Sequence, residues 1–263
     1  MTAVKDVFAF LDAFAPVSMK MDFDNVGFLV GRENAPVRKI LVSLDITEAV
    51  IEEAVELGAD IIVAHHPLFF SVKSVTDSDR TGRKIVRLLE KGIAAVCMHT
   101  NLDAAADGVN DALARAVGIA DPELLTVDGY LEDGTPYCIG RCGTRSEPVS
   151  MAEFLPWLKA ALSANGLRYH DAGRPVHKVA VVGGSGGDDI CHAVAKGCDT
   201  FVTADVKYNQ FRTAYEIGLN LIDAGHFHTE NPTMPILAQK LQREFPAVEV
   251  KFSGNHTDCM KFY

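Results

Sequence analysis

Residues 37–66, VRKILVSLDITEAVIEEAVELGADIIVAHH, have a counterpart 139 positions later in the same chain, at 176–205, VHKVAVVGGSGGDDICHAVAKGCDTFVTAD. The two stretches align without a gap, and Gly58 of the first corresponds to Gly197 of the second. An internal repeat indicates that one structural unit occurs twice in the chain. Since both copies have the same order of apolar and polar segments, the repeat decides the fold.

Each copy is expected to form a strand, a helix and a second strand. The first copy has a mostly apolar strand pattern at 40–44 and a helical pattern at about 47–57, and the second has them at 179–182 and about 188–196. A glycine after each helix is typical of a helix C-terminus. Such a β-α-β unit crosses over right-handed onto a parallel sheet. We therefore predict an α/β protein.

The two copies define two sequence lobes, 1–125 and 126–263. The linking segment, about 120–150, contains glycines, acidic residues and short β-prone runs, which predict one or two hairpins. Ser150 with Glu153 three residues later forms a capping-box pattern, so a helix is expected to open the second lobe. No low-complexity linker separates the lobes, and we expect them to pack closely with a site between them.

A histidine pair ends the second strand of the first copy. The segment ADIIVAHHPLFF, residues 59–70, places His65 and His66 directly after an apolar run and before Pro67. Proline cannot donate to a strand ladder, so the strand should end here. In open α/β sheets, ligands bind at the carboxyl ends of strands. Both rings can approach one ligand only if the strand bends here or the site is large.

Two later segments share a second motif, a histidine followed four residues later by an acid. These are His99 with Asp103, and His226 with Glu230, each after a predicted strand. The candidate ligands are therefore His65, His66, His99, Asp103, His226, His228 and Glu230. Imidazole and carboxylate ligands without cysteine suit Zn, Fe, Mn or Ni. This set exceeds the three protein ligands of one catalytic zinc, so two divalent metal ions with a bridging carboxylate are expected.

Bulk composition excludes several classes of partner. The net charge is −10, with 35 acidic and 25 basic residues, which argues against a general nucleic-acid or anionic-membrane surface. A phosphorylated or other small-molecule substrate remains open because a metal overrides net charge locally. The N-terminal pattern is an amphipathic helix without the basic region or long apolar core of a signal peptide. We expect a cytoplasmic protein with reduced cysteines.

Four motifs together resemble the NIF-three-like dinuclear metal-centre family, whose members are also named GTP cyclohydrolase I type 2 homologues. They are MDFDNVGFLVG (21–31), GADIIVAHHPLFF (58–70), HTNLDAAADGVNDALA (99–114) and GHFHTE (225–230). The resemblance covers nearly the whole chain, in its short form without an inserted domain. It implies two metals held by His65, His66, Asp103, His226 and Glu230, and a toroidal homohexamer. The fold expectation becomes two similar β-α-β lobes with mixed sheets around a shared metal site.

Some positions depart from the family pattern. TADVKYNQ (203–210) has Ala204 and Asn209 where the family more often has a glycine and a histidine, which affects expected substrate contacts and not the metals. His99 and His228 are assigned roles beside the ligands, in positioning or proton transfer. GGSGG (183–187) lacks the spacing and the lysine of a phosphate loop, so we interpret it as a tight β-α turn.

Two functional hypotheses follow. The first is a metal-dependent hydrolase in which a metal-activated water attacks a phosphate ester, an amide or a purine ring. The second is a non-catalytic metal-binding or chaperone-like toroidal hexamer. The spare histidines, His99 and His228, favour the enzyme, because a storage site needs no additional acid–base groups.

Overall fold

A computed structural model describes residues 1–263, and it confirms the α/β class with mixed sheets. The strands are β1 (Gly27–Val30), β2 (Lys39–Ser43), β3 (Ile61–Ala64), β4 (Ala94–Cys97), β5 (Glu123–Leu124), β6 (Gly129–Tyr130), β7 (Pro136–Tyr137), β8 (Arg141–Val149), β9 (Arg168–His170), β10 (Val176–Val181), β11 (Thr200–Thr203), β12 (Asn220–Asp223) and β13 (Glu249–Phe252). The helices are α1 (Val4–Phe14), α2 (Glu48–Leu57), α3 (Arg80–Lys91), α4 (Thr100–Ala104), α5 (Val109–Ala116), α6 (Met151–Ala161), α7 (Ile190–Ala195), α8 (Tyr208–Ile217), α9 (His226–Glu230) and α10 (Thr233–Glu244).

The chain folds into two compact units. The first unit is Met1–Leu102 with Met234–Thr257, and the second is Asp103–Thr233 with Asp258–Tyr263. These bounds differ from the sequence lobes 1–125 and 126–263, because β13 near the C-terminus pairs with β2, and because α5 and β5 contact β8 in the second unit. Such a long-range pairing leaves no local mark in the sequence.

The first unit contains a five-stranded sheet in the order β1-β4-β3-β2-β13. Four of its strands are parallel, and β1 joins the edge antiparallel to β4. Strands β3 and β4 are buried along their whole length, which explains their unbroken apolar runs. Consequently the carboxyl ends of β2, β3 and β4 lie at one edge, where the loops that follow them carry the polar motifs.

The second unit contains a six-stranded sheet in the order β5-β8-β10-β11-β12-β9. Its central strands β10, β11 and β12 are parallel, while β8 and β9 flank them antiparallel. A hairpin expected in the linking segment, about 120–150, is present as β6 and β7. The same linking segment also supplies β8, which pairs with β10 in the main sheet.

The helix signals of the sequence are borne out at their caps. Thr47 accepts a hydrogen bond from Val50 N at 3.1 Å and starts α2, and Gly58 ends it with a φ of 64°. Ser150 and Glu153 cap α6 reciprocally, as the capping box predicts. The helix predicted at 188–196 is shorter, because its first residues form a 3₁₀ turn at Gly187–Asp189 before α7 begins.

Separate apolar cores support the two units. In the first, Leu41, Ile62 and Leu88 are fully buried between sheet and helices. In the second, Phe154 and Phe201 lie in two clusters that include strands β10 and β11. None of the helices combines the length and the apolar character that crossing a lipid bilayer requires.

Candidate metal centre

The end of β3 bends so that both histidines of the HHP motif lie on one side. Strand β3 stops at Ala64, and the backbone N–H groups of His65 and His66 both donate to Leu44 O, at 3.2 and 2.9 Å. Two successive donors on one carbonyl are incompatible with a regular ladder, in which neighbouring residues point apart. The rings of His65 and His66 therefore lie with their centroids 5.0 Å apart.

His99 joins this pair within the first unit. Its ring centroid lies 5.1 Å from that of His65 and 5.6 Å from that of His66. One ligand atom from each of the three rings lies within 4.8 Å of the others. We call His65, His66 and His99 the histidine cluster. The sequence predicts His99 to lie beside the metal ligands. Its ring lies about as close to His65 and His66 as those two rings lie to each other.

Oxygen acceptors hold the first two rings of the histidine cluster through Nδ1. His65 Nδ1 lies 2.8 Å from Met98 O, and His66 Nδ1 lies 2.8 Å from Asp45 Oδ1. Carbonyl and carboxylate oxygens only accept, so Nδ1 carries the proton in each ring. In a neutral imidazole this leaves the lone pair on Nε2, the arrangement found in metal-ligating histidines.

Asp24 is the oxygen acceptor that holds the His99 ring through Nδ1. Its Oδ2 accepts from His99 Nδ1 at 2.9 Å, from Thr100 N at 3.0 Å and from Thr100 Oγ1 at 2.5 Å. Burial alone would raise the pKa of this carboxyl group, but hydrogen bonds from His99 and Thr100 outweigh burial and hold the pKa well below its usual range. Asp24 is therefore a buried carboxylate whose charge fixes the His99 ring.

In the second unit, the short helix α9 brings together the second histidine–acid motif. Gly225, with a φ of 86°, turns the chain into α9. The i,i+4 spacing then places His226 Nε2 3.1 Å from Glu230 Oε1. A ligand atom of Asp103 also lies within 4.8 Å of one from Glu230. We call Asp103, His226 and Glu230 the carboxylate cluster.

The contact between His226 and Glu230 requires a proton or a cation between the two groups. Asp205 Oδ2 lies 2.7 Å from His226 Nδ1 and accepts a hydrogen bond from that nitrogen. A neutral His226 ring then faces the Glu230 carboxylate with a lone pair, and two acceptors at 3.1 Å repel each other. Either one of the two groups carries a proton at this contact, as an imidazolium or as a neutral carboxylic acid, or a cation binds both atoms. Asp205 adopts a φ of 52°, a left-handed conformation of the kind that concentrates at functional sites.

A buried amide and a buried guanidinium fix the backbone at Asp103. Asn110 Nδ2 donates to Asp103 O at 3.1 Å, and Asn110 Oδ1 accepts from Gly183 N at 2.8 Å. Arg141 Nη2 donates to the carbonyls that follow, Ala104 O and Ala105 O, both at 3.2 Å. These contacts hold the end of α4, so the position of the Asp103 carboxylate is set by groups distant in sequence.

The glycine-rich loop after β10 supports Glu230. Gly184, with a φ of 63°, donates its N–H to Thr229 Oγ1 at 3.0 Å. A Cβ at Gly184 would overlap Glu230 Oε1 and lie 3.1 Å from His226 Nε2. The backbone at Gly184 therefore approaches the carboxylate cluster as closely as a glycine allows. This agrees with a tight β-α turn.

His228 belongs to neither cluster and lies in a different environment from the histidines that do. Its side chain is buried, and its Nε2 lies 3.1 Å from Asp258 Oδ2 and 3.3 Å from Asn165 N. Asn165 Nδ2 also donates to Asp258 Oδ2 at 2.9 Å. These contacts hold the C-terminal segment of the second unit. A proton-transfer role for His228 stays a prediction.

The sequence did not indicate which groups the supporting residues contact. Asp24 lies in the motif MDFDNVGFLVG, and the structure places it on His99. Asp45 and Asp205 follow strands β2 and β11, and the position after a strand was the signal that could have found them. Asn110 lies in the motif HTNLDAAADGVNDALA but on a helix, where its contact with Asp103 O could not be predicted.

The donor set fits a divalent cation. The two clusters offer imidazole nitrogens and carboxylate oxygens and no thiolate, a combination that suits Zn, Fe, Mn or Ni. Partner oxygens on Nδ1 of the histidines are the second layer of contacts that metal-binding histidines have. The structure thus supplies groups that are able to bind a metal ion.

Comparison with known proteins identifies the family. The family model described as Duf34/NIF3 (NGG1p interacting factor 3) matches residues 2–259. The chain belongs to the DUF34/NIF3 family. A Clostridium acetobutylicum protein named GTP cyclohydrolase 1 type 2 homolog is 34% identical over 267 residues, covering 98% of each chain. The resemblance found in the four motifs is confirmed.

Solved structures of this DUF34/NIF3 fold superpose closely on the chain. A Bacillus cereus protein related to NIF3 has a TM-score of 0.92 at 25% identity, covering 100% of this chain and 99% of that one. A Staphylococcus aureus hypothetical protein also has a TM-score of 0.92, at 27% identity and 99% coverage of both chains. The mixed α/β architecture is therefore shared with these proteins.

Proposed function

We propose that this protein binds two divalent metal ions through His65, His66, Asp103, His226 and Glu230 and uses them to hydrolyse a small-molecule substrate. The observation that carries the proposal is the His226–Glu230 contact, where an imidazole nitrogen and a carboxyl oxygen lie 3.1 Å apart while Asp205 accepts a hydrogen bond from the other ring nitrogen. The histidine cluster adds support, since its rings have their Nδ1 atoms on oxygen acceptors.

Bound divalent cations lower the pKa of coordinated water and stabilise negative charge on a substrate oxygen. The protein's own residues supply the remaining chemistry. Asp45 and Asp205 orient His66 and His226, and Asp24 orients His99. His99 is the proton-transfer group in this proposal, because its ring belongs to the histidine cluster and is fixed by a carboxylate that stays ionised.

The relatives' name, GTP cyclohydrolase 1 type 2 homolog, makes GTP one substrate to test. Phosphate monoesters and dipeptides are the others, because water activated at a metal pair attacks either. The homohexamer and the cytoplasmic location are proposed from the family resemblance.

The test compares apoprotein with protein reconstituted with Zn, Mn, Fe or Ni on this substrate panel. We expect turnover that chelator abolishes and that Asp103→Ala reduces at least about 100-fold, since a ligand is lost. His170→Ala is the matched control, because His170 lies on β9 against Tyr215, outside both clusters. Protein that holds metal but turns over nothing on the panel would contradict the hydrolase and favour the non-catalytic toroidal hexamer.

His99→Gln separates proton transfer from metal binding. We expect turnover to fall about 10²- to 10⁴-fold, the range for loss of a general acid or base, while metal content stays unchanged. Loss of metal from His99→Gln would instead make His99 a ligand.

A further inference from the structure

Two phenylalanine rings stand exposed beside the histidine cluster. Phe23 is 62% exposed and Phe70 is 56% exposed, although each is large and apolar. Their ring centroids lie 6.2 Å apart, and the Phe70 centroid lies 6.2 Å from that of His99. Isolated exposed apolar residues are ordinary on a protein surface, but a contacting pair next to polar convergent groups is typical of a ligand site.

The backbone below both rings is fixed. Asp24, next to Phe23, is tied to His99 and Thr100 by three hydrogen bonds. Asn25 Nδ2 donates to Phe69 O at 2.8 Å, which links the segment that carries Phe23 to the segment that carries Phe70. The backbone that carries the two exposed rings is consequently held in place, and the rings contact each other while Phe70 also contacts His99. A rigid, preformed apolar surface loses little conformational entropy when a ligand binds.

We propose that Phe23 and Phe70 form a stacking platform that selects substrates containing a planar aromatic ring, such as a purine, for the metal-dependent reaction proposed above. A ring stacked there lies beside His99, the proton-transfer group. Base–aromatic stacking contributes enough affinity to discriminate between substrates. The platform therefore determines specificity, and the clusters determine chemistry.

The size of the platform favours a small ring over a second protein copy. At the observed exposures the two side chains offer roughly 200 Å² of surface, given the area of a phenylalanine. A stable protein interface needs about 800 Å² from each partner. The two rings are tilted by 48°, so a fused ring system stacks on the face of one ring and contacts the other at an angle, whereas a protein partner would cover far more than these two rings.

The test measures ligand binding by calorimetry on metal-loaded full-length protein. AMP and ribose 5-phosphate share the sugar phosphate and differ only in the base, and phenyl and cyclohexyl phosphate separate stacking from general apolar contact. We expect the aromatic member of each pair to bind at least about fivefold more tightly. Phe23→Leu and Phe70→Leu should remove this preference and leave ribose 5-phosphate binding unchanged.

Two controls complete the design. Phe70→Tyr retains a ring and should retain the preference. Tyr130→Leu removes a ring that is 67% exposed on the β6–β7 hairpin, and it should have no effect. Equal binding within both ligand pairs, or a preference that survives both leucine variants, would overturn the platform. So would a change in oligomeric state with unchanged affinities, which would assign the rings to an interface between copies.

Metal content of each variant distinguishes this inference from the proposed function. If the wild-type protein loads metal but shows no ring preference, the platform is wrong and the metal site stands. If a ring preference depends on Phe23 and Phe70 while no metal loads, the platform stands and the metal-dependent reaction fails.

Discussion

Gly184→Ala is expected to weaken metal binding at the carboxylate cluster by more than its effect on the free energy of unfolding can explain. Gly184 has a φ of 63°, and its added Cβ would overlap Glu230 Oε1. The Glu230 carboxylate must then move by roughly 1 Å to restore van der Waals contact. Metal–ligand distances tolerate only about 0.2 Å, so the displaced Glu230 carboxylate would no longer reach the ion that we propose it binds.

The control is Gly197→Ala. Gly197 has a φ of 72°, and a Cβ there meets no atom within 4 Å. Both variants carry the cost of placing alanine in a left-handed conformation, about 1–2 kcal/mol of unfolding free energy. Only Gly184→Ala adds the displacement of Glu230, which we expect to weaken zinc binding about 10- to 100-fold, the loss seen when the contacts around a metal ligand are disturbed.

The assay is a competition titration of zinc against a chromophoric chelator, with urea unfolding of the apoproteins in parallel. Gly197→Ala should match the wild type in zinc affinity and lose stability. Equal zinc affinities for Gly184→Ala and Gly197→Ala would refute the assignment of Glu230 to the metal.

Three further predictions concern the groups around the site. Asp24→Asn should lower the unfolding free energy by about 2–3 kcal/mol at neutral pH, because a charged acceptor of three donors is lost. Since the pKa of Asp24 is lowered in the folded protein, the difference in stability from the wild type should disappear as the pH falls through that pKa. The control is Asp12→Asn, which loses one hydrogen bond from Val17 N and should cost less. Burial lowers the pKa of His256 to about 4, and its Nδ1 accepts a hydrogen bond from Leu44 N. The free energy of unfolding should therefore be highest above about pH 6.5 and about 1 kcal/mol lower at pH 5, after allowance for the partial exposure of the ring. In urea titrations at the two pH values, His256→Gln should remove this difference. Adding a chelator should lower the Tm of the metal-loaded wild type. If the free metal concentration before chelation is about 100 times the Kd, the loss corresponds to about 2.7 kcal/mol of unfolding free energy. A Glu230→Gln variant whose Tm falls by the same amount would count against the site.

The sequence predicted the parts of the fold that depend on local pattern. Buried parallel strands have continuous apolar runs, and helix ends have capping residues, so β3, α2 and α6 were recognisable from a single chain. Pairing of β13 with β2 brings the C-terminal residues into the first unit. That contact joins residues about two hundred positions apart, and nothing in either strand indicates its partner.

The candidate site divides in the same way. His65, His66 and Glu230 follow strands within motifs and could be proposed directly. The carboxylates that orient the rings could not be proposed directly, because Asp45 and Asp205 each accept a hydrogen bond from a histidine 21 positions later in the chain. Their position after a strand sets them apart from most of the 35 acidic residues, but the ring that each one contacts is a property of the folded chain.

The most direct measurement is the number of divalent ions per chain, determined by native mass spectrometry and elemental analysis on untagged protein. We expect two ions per chain in the wild type and in His170→Ala. Single alanine variants at His65, His66, Asp103, His226 and Glu230 should each hold fewer while remaining folded. A folded wild-type protein that binds one ion or none after reconstitution, or five variants that all keep two, would contradict the metal centre.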